Sequence, residues 1–352
     1  MREKQNEITL YRKYRPYTFQ EVIGQEHITK TLESALKVGN FAHAYLFIGT
    51  HGTGKTSVAR IFARELGCSE NDLYEIDAAS NRGIDDIREL RNSVRNLPFD
   101  SKYKVYIIDE AHMLTKEAFN ALLKTLEEPP SFVVFILATT EFDKLPTTIV
   151  SRCQSFSFRK PSQNVLRDVS LVIAQREGYK IDPSAAELIA ILGDGSFRDT
   201  LGVLQKVISI SSDKKITIEE VELITGAPPR TLVNNFILTI SENKLDEGLL
   251  IINKAVENNI NIKIFLKLIL AKLRFILLLR FMKKEMENDI KKDIDQNDFA
   301  FLKEMSNSTN TQLSSTTLLL FLDAYSKLDF SYIPQLPLEL ALIDIINKQE
   351  KN

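Results

Sequence analysis

Two hydrophobic patterns divide the chain. In the first half, short apolar and β-branched runs alternate with longer segments of helical periodicity, an order typical of a parallel sheet covered by helices. The runs predicted as strands are Ala44–Ile48, Leu73–Ile76, Val105–Ile108, Phe132–Ala138 and Ser155–Phe158. After Pro161 the strand signals stop and helical patterns follow. The pattern therefore predicts an α/β domain with a five-stranded parallel sheet, followed by helical domains.

The helical part divides at Ala227-Pro-Pro229, because neither proline continues a helix and each restricts the residue before it. Before this break, Asp182-Pro183 and the capping box Thr217-Ile-Glu-Glu220 mark two helix starts. From Thr231 onward we predict further helices and no strand. The expected domains are residues 1–160, 161–228 and 229–352.

Composition excludes several classes of protein. The 352 residues are 44% hydrophobic and 26% charged, so a large core can form. The net charge of −2 gives no bulk positive field, and any contact with DNA must come from a local patch. The two cysteines and four histidines form no spaced cluster, which argues against a disulfide framework or a Cys/His zinc site. The charged N-terminus is no signal peptide, so we expect a cytoplasmic protein.

One segment is apolar enough to suggest a membrane helix. Residues Ile262–Met282 contain five lysines and arginines. At about 2.5 to 3.5 kcal/mol for each central basic residue, their cost exceeds the gain of about 0.3 to 0.6 kcal/mol for each Leu or Ile. We therefore predict a mostly buried helix and no membrane insertion.

A phosphate-binding loop follows the first predicted strand. The sequence Gly49-Thr-His-Gly-Thr-Gly-Lys-Thr56 precedes a helical run and fits G-x-x-x-x-G-K-T in its required strand–loop–helix context. The glycines let backbone N–H groups face a phosphate chain. Lys55 would reach the outer phosphates and Thr56 would offer its hydroxyl to Mg²⁺. This motif predicts a site for a nucleoside triphosphate.

Two acids end the third predicted strand, in Val105-Tyr-Ile-Ile-Asp-Glu110. At the carboxyl edge of a parallel sheet, Asp109 would hold Mg²⁺ and Glu110 would polarise the attacking water. The sequence Asp109-Glu-Ala-His112 also matches the box of one helicase class. Such helicases need a second sheet domain, which the pattern after Pro161 does not provide.

Polar residues that follow the later strands complete the candidate site. Thr139 and Thr140 follow the fourth strand, and either could orient the water. Arg152, in Ser151-Arg-Cys153, lies at the rim of the α/β domain, where it could reach a neighbouring molecule. Arg198, in Gly195-Ser-Phe-Arg-Asp199, begins a helix of the second domain and could reach back to the nucleotide.

Eight segments together resemble the gamma/tau subunits of the bacterial DNA polymerase III clamp loader, which are AAA+ ATPases. They are Tyr11-Arg-Lys-Tyr-Arg-Pro16, Phe19-Gln-Glu-Val-Ile-Gly-Gln25, His43-Ala-Tyr-Leu-Phe47, Ile76-Asp-Ala-Ala-Ser80, Asp109-Glu-Ala-His-Met-Leu114, Phe119-Asn-Ala-Leu-Leu-Lys-Thr-Leu-Glu-Glu-Pro129, Leu137-Ala-Thr-Thr140 and Ser151-Arg-Cys153. The resemblance is strong over residues 9–228 and weak beyond. It implies a P-loop AAA+ domain, a small helical lid domain and an all-α collar domain for oligomerisation.

The resemblance also implies roles for residues. It makes Arg152 an arginine finger for the adjacent subunit, Arg198 a sensor in the same subunit, and Thr139 or Thr140 the γ-phosphate sensor. The residues expected to bind ATP are Val22, Ile23, Gly49, Gly52, Thr53, Gly54, Lys55, Thr56 and Arg198. The catalytic set is Lys55, Glu110, Thr139 and Arg152, with Thr56 and Asp109 as Mg²⁺ ligands.

The implied function is loading of a sliding clamp onto primed DNA at the nucleoid. The expected partners are the delta and delta-prime subunits, further gamma copies, the clamp and primed DNA, with no membrane. Two departures matter, since three cysteines of the family's zinc module and the long tau extension are absent from this sequence. We predict no zinc. Two alternatives are another AAA+ DNA-remodelling ATPase and a scaffold subunit that binds nucleotide without turnover. The intact Lys55, Glu110 and Arg152 argue against the scaffold subunit.

A possible DNA contact comes from the residues themselves. Arg88, Arg91 and Arg95 follow helical spacing on a helix predicted from Ile84 to Asn96, and Arg82 precedes them. Neighbouring acids make a solvated helix face the simpler interpretation. Phosphate contact by this stripe is therefore a hypothesis.

Overall fold

The computed structural model of the chain describes residues 9–81, 83–282, 287, 296–308 and 312–347. The chain divides into two units. One contains Met1–Ile173 and Ile189–Gln205, and the other contains Ala174–Leu188 and Lys206–Asn352. The three domains expected from the sequence stay a prediction.

A parallel sheet forms the centre of the first unit. Its strands are β1 (Ala44–Ile48), β2 (Leu73–Asp77), β3 (Lys104–Asp109), β4 (Val133–Thr139) and β5 (Gln154–Ser157). They lie in the order β2-β3-β4-β1-β5, and every pair is parallel. This confirms the predicted five-stranded sheet, whose strand ends differ from the expected ones by at most one residue.

Helices cover both faces of this sheet. The helices that lie within the first unit are α1 (Leu10–Lys13), α2 (Glu26–Val38), α3 (Lys55–Glu65), α4 (Ile84–Val94), α5 (Lys116–Glu127) and α6 (Thr147–Val150). On β4, Phe135 and Leu137 belong to a buried cluster that includes residues of α4, α5 and α6. Ile136 and Ala138, which alternate with them, belong to a second cluster with residues of α2 and α3. Because both faces are buried, the three central strands β1, β3 and β4 are mostly apolar, whereas the edge strands β2 and β5 contain exposed polar residues.

Three helices contain the boundaries between the units, namely α7 (Gln163–Arg176), α8 (Pro183–Leu192) and α9 (Phe197–Ile210). Pro183 is the first residue of α8, as its position after Asp182 predicts. Farther along, Thr217 and Glu220 form the predicted capping box at the start of α10, since each side chain bonds the other residue's backbone N–H.

The second unit is mainly helical. Its remaining helices are α10 (Ile218–Thr225), α11 (Arg230–Ser241), α12 (Leu245–Glu257), α13 (Ile262–Phe281), α14 (Gln296–Asn307), α15 (Ser315–Lys327) and α16 (Leu336–Asn347). A small parallel pair, β6 (Lys180–Ile181) and β7 (Lys215–Ile216), also lies here. The expectation that strands stop at Pro161 is therefore wrong. Strands of two residues are too short to show the alternation on which the prediction depends.

Helix α13 coincides with the apolar segment that could be mistaken for a membrane span. Phe265 of α13 packs against Phe236 of α11, with ring centroids 5.4 Å apart. On the same helix, the Lys272 Nζ contacts Asp298 Oδ1 at 2.5 Å, so one of its charges is paired inside the unit. Among the helices in the described part of the chain, none has the length and apolar character needed to cross a bilayer.

Candidate functional site

The loop between β1 and α3 has the backbone that a phosphate cradle requires. Gly52 and Gly54 have φ of +68° and +102°, values that favour glycine. A Cβ on Gly52 would lie 1.9 Å from Ser196 Oγ, whereas one on Gly54 would meet open space. Thr53 is buried and donates its hydroxyl to the Thr50 carbonyl at 2.9 Å, which closes the loop. Glycine is thus required at Gly52 by both conformation and space.

Lys55 lies inside this loop. Its side chain is 5% exposed, and Nζ donates to the carbonyl oxygens of Gly49 at 2.7 Å and Thr50 at 3.0 Å. Burial lowers the pKa of Lys55 below its ordinary value, while the nearby carboxylates of Glu110 and Asp109 act in the opposite direction. A buried ammonium whose partners are only neutral carbonyls is well suited to donate hydrogen bonds to an anionic phosphate.

The first turn of α3 meets the end of β3 through one hydrogen bond. Thr56 Oγ1 donates to Asp109 Oδ2 at 2.7 Å, across 53 positions of sequence. The other carboxylate oxygen of Asp109 accepts the backbone N–H of Glu110 at 3.0 Å. A hydroxyl and a carboxylate oxygen side by side are the hard donors that Mg²⁺ prefers, so this pair fits the ion.

Glu110 begins the turn that follows β3. Its φ of +49° and ψ of +43° are left-handed, which is uncommon for a residue other than glycine. Its carboxylate accepts a hydrogen bond from Thr140 Oγ1 at 3.2 Å and lies 3.3 Å from His51 Nδ1. Strained backbone is common at functional sites. Here the strained residue places its carboxylate between Thr140 and His51, at the edge of the sheet.

The two threonines after β4 have different surroundings. Thr139 is fully buried, and its Oγ1 accepts the N–H of Glu141 at 3.0 Å and lies 3.1 Å from His112 Nδ1. Thr140 instead donates its hydroxyl to Glu110. The role of Thr139 or Thr140 as the γ-phosphate sensor stays a prediction.

His112 is a part of the site whose role the sequence did not reveal. Its side chain is 6% exposed, with Nδ1 3.5 Å from Glu110 Oε2 and Nε2 3.2 Å from Glu141 Oε1. Together with its contact to Thr139, these distances make the ring a bridge between the ends of β3 and β4. Its position three residues after Asp109 was visible in the sequence, but its partners on β4 were not.

The segment that carries Arg198 lies against the phosphate loop. The N–H of Phe197 donates to the Gly52 carbonyl at 3.0 Å. The Arg198 guanidinium lies 5.8 Å from the centre of the Tyr11 ring, within reach of a cation–π contact. Arg198 is also close enough to Lys55 to contribute to the lowering of its pKa. The structure therefore brings Arg198 to the loop, and adds Tyr11 as a neighbour that the sequence did not indicate.

Val22 and Ile23, expected beside the adenine, differ in exposure. Val22 is buried in the cluster that covers the α2–α3 face of the sheet, and Ile23 is 48% exposed. Their contact with a base stays a prediction.

Arg152 lies just after α6, and its contacts are separate from the phosphate loop. Its Nη2 contacts Glu127 Oε1 at 2.6 Å, and its Nη1 donates to the Thr148 carbonyl at 2.7 Å and to Ser151 Oγ at 3.2 Å. Each of these partners lies in the same chain. Glu127, the last residue of α5, is a partner that the sequence did not indicate.

The arginines considered for DNA lie on α4 and just beyond it. Helix α4 ends at Val94, two residues before the predicted end, so Arg95 follows the helix. Arg88 and Arg95 are exposed and Arg91 is half-buried. Arg82 lies outside the described residues, and the contact of this stripe with DNA stays a hypothesis.

The two cysteines are free thiols. Burial raises the pKa of Cys68 to about 11 and that of Cys153 to about 12. Within the described residues, no three His, Cys, Asp or Glu side chains form a group that could hold a metal ion. The absence of zinc stays a prediction.

Solved structures with a similar fold include the Holliday junction branch migration motor RuvB of Thermotoga maritima. It has a TM-score of 0.52 and 23% identity, over 64% of this chain and 79% of that one. At this identity the likeness concerns the fold. It confirms the predicted fold, a parallel five-stranded sheet followed by a mainly helical region.

Sequence comparison gives closer relatives. A family model described as DNA polymerase III, delta subunit, matches residues 24–82 and 71–162. The tau subunit of DNA polymerase III from Bacillus subtilis is 43% identical over 70% of this chain and 48% of its own length. The gamma/tau subunit from Mycoplasma genitalium is 38% identical over 88% of this chain and 57% of its own. The chain thus spans about half the length of these curated relatives. Over most of its length, the chain is a homologue of the bacterial DNA polymerase III gamma/tau subunits.

Proposed function

We propose that this chain is an ATP-hydrolysing subunit of a sliding-clamp loader, which uses ATP to place a ring clamp on primed DNA. The observation that carries the proposal is the hydrogen bond of 2.7 Å between Thr56 and Asp109, with Lys55 and Glu110 close to it. It supports a site for Mg²⁺–ATP in a chain whose relatives are gamma/tau subunits. Delta-type subunits, further copies of this chain, the clamp and primed DNA are the partners, in the cytoplasm at the nucleoid.

Binding would use the loop between β1 and α3. Backbone N–H groups from Thr50 to Thr56 would surround the phosphates, and Lys55 would exchange its two carbonyl partners for phosphate oxygens. Thr56 and Asp109 would hold Mg²⁺, which supplies charge neutralisation on the phosphates when bound. Val22 and Ile23 would contact the adenine.

Water activation would fall to Glu110. Its carboxylate can accept a proton from a water placed beside the γ-phosphate. Thr140 and His51 contact this carboxylate from two sides and would fix its orientation. His112 would act as a positioning residue, because it links Glu110 to Thr139 and so to the end of β4.

Two arginines would make hydrolysis depend on conformation and assembly. Arg198 would contact the γ-phosphate in its own subunit, which is consistent with its position against the loop. Arg152 would serve the site of the adjacent subunit, since its contacts in this chain lie elsewhere. An arginine finger of this kind contributes about 10³- to 10⁵-fold in rate to phosphoryl transfer.

The test is the steady-state ATPase rate of the complete loader, with and without clamp and primed DNA. Arg152→Ala should abolish the stimulation by clamp and DNA. Arg167→Ala is the matched control, because Arg167 also pairs with a carboxylate of its own chain, Asp168 at 3.0 Å. This control should behave as the wild type.

Other outcomes would assign another role. A rate that ignores clamp, primer and Arg152 would contradict the clamp-loader proposal and favour a different AAA+ DNA-remodelling activity. Tight ATP binding without turnover, unchanged by Glu110→Gln, would favour a scaffold subunit.

A further inference from the structure

The contact between Arg152 and Glu127 bears on how the proposed finger is controlled. We propose that Glu127 is a positioning residue that holds the Arg152 guanidinium in its own subunit until the nucleotide of a neighbour competes for it. This inference rests on the proposed function of Arg152 as a finger in trans. Glu127 belongs to the segment Leu126-Glu-Glu-Pro129, and the ATPase mechanism proposed above gives it no role.

Both residues project from ordered backbone. Glu127 ends α5 immediately before Glu128, Pro129 and Pro130, which stop the helix. Arg152 follows α6, and its own N–H bonds the Ile149 carbonyl at 3.1 Å. The backbone positions of both residues are therefore fixed, which places the two side chains within contact distance.

The guanidinium is well occupied in this arrangement. Of its five N–H groups, those on Nη1 serve Thr148 and Ser151, and one on Nη2 serves Glu127. Arginine grips a phosphate best through two adjacent N–H groups. A phosphate that approaches the Nη1–Nη2 edge must therefore compete with the partners of both nitrogens, of which Glu127 is the only charged one. The negative charge of Glu127 also offsets the positive charge that a finger must bring to the transition state.

The ion pair between Arg152 and Glu127 is weak enough to be broken when the subunits assemble. The Arg152 side chain is 33% exposed and that of Glu127 is 47% exposed. An ion pair with this degree of exposure shifts the equilibrium between the paired and the released Arg152 side chain by only about 1.5- to 5-fold. A fully assembled site, where the finger meets several phosphate oxygens, can overcome such a bias.

The experiment compares Glu127→Gln with Glu128→Gln in the complete loader. Glu128 is the adjacent exposed acid, so the control has the same chemistry one position along. We expect Glu127→Gln to raise the ATPase kcat by about 1.5- to 5-fold without clamp and DNA, with KM unchanged. With clamp and DNA present its rate should match the wild type, and Glu128→Gln should match it throughout.

The double variant Glu127→Gln with Arg152→Ala separates this role from a structural one. Its rate should equal that of Arg152→Ala alone, and thermal melting should show that both single variants fold. A gain that survives in the double variant, a Glu127→Gln rate that falls, or a rate equal to the wild type throughout would overturn the inference. If Arg152→Ala still removes the stimulation, the proposed function stands. If Arg152→Ala has no effect, both fail.

Discussion

Asp72 is a buried carboxylate that holds the loop between α4 and β3, and its replacement tests how this edge of the first unit is stabilised. Its side chain is fully buried. Oδ1 accepts the N–H of Phe99 at 2.6 Å, and Oδ2 accepts the N–H and the hydroxyl of Ser101 at 3.0 and 2.5 Å. The N–H of Asp100 also donates to Oδ2, at 3.1 Å.

The expected cost follows from these contacts. In Asp72→Asn, one oxygen becomes an NH₂ group that faces donors, so at least one buried N–H loses its acceptor and the rest lose a charged one. An unsatisfied buried group costs about 1 to 3 kcal/mol, and hydrogen bonds to charged groups contribute about 1.5 to 3 kcal/mol. We expect the free energy of unfolding of the first unit to fall by about 2 to 4 kcal/mol. Asp100→Asn, at the exposed neighbour, should cost less than about 1 kcal/mol.

The effect should depend on pH. Burial by itself would raise the pKa of Asp72, but the hydrogen bonds from Ser101 and the three backbone N–H groups outweigh it and hold the pKa well below its ordinary value. A carboxylate of this kind contributes stability above its unfolded pKa of about 3.9, and that stability is lost as pH falls toward the folded pKa. The gap between wild type and Asp72→Asn should thus shrink by about 1 kcal/mol from pH 5 to pH 3.

The assay is unfolding in urea, monitored through amide hydrogen exchange of peptides from β3. These peptides report the stability of the first unit by itself. Stability equal to the wild type at pH 7 would refute the reasoning about the hydrogen bonds. A gap that stays constant from pH 5 to pH 3 would refute the reasoning about the charge.

Two further predictions concern the nucleotide site. Gly52→Ala should weaken ATP binding at least about tenfold, since its Cβ would lie 1.9 Å from Ser196 Oγ. Gly39→Ala is the control, because Gly39 has a similar φ of +72° but open space, and equal affinities of the two variants for a fluorescent ATP analogue would contradict the steric argument. His112→Leu should lower kcat by about 10- to 100-fold with little change in ATP affinity, because Glu110 loses a contact that orients it. His112→Gln should recover part of kcat in the same ATPase assay, and a loss confined to KM would count against a positioning role.

Much of the first unit could be predicted from local pattern. Strands buried on both faces are apolar runs, so β1 and β4 were identifiable within one residue. The phosphate loop was recognisable because its glycines, Lys55 and Thr56 are contiguous. The short strands β6 and β7 were missed, since two residues carry no periodicity.

The sequence by itself determined the succession of strands and helices along the first unit, the phosphate loop and the acids at the end of β3, because each depends on residues close together in the chain. Only the tertiary structure decided which side chains meet. It joined Thr56 to Asp109 across 53 positions, set His112 between Glu110 and Thr139, and paired Arg152 with Glu127. These contacts depend on strand order and on how α5 and α6 pack, which no local pattern encodes. For this reason the chemistry of the site was predictable, but the contacts that would control it were not.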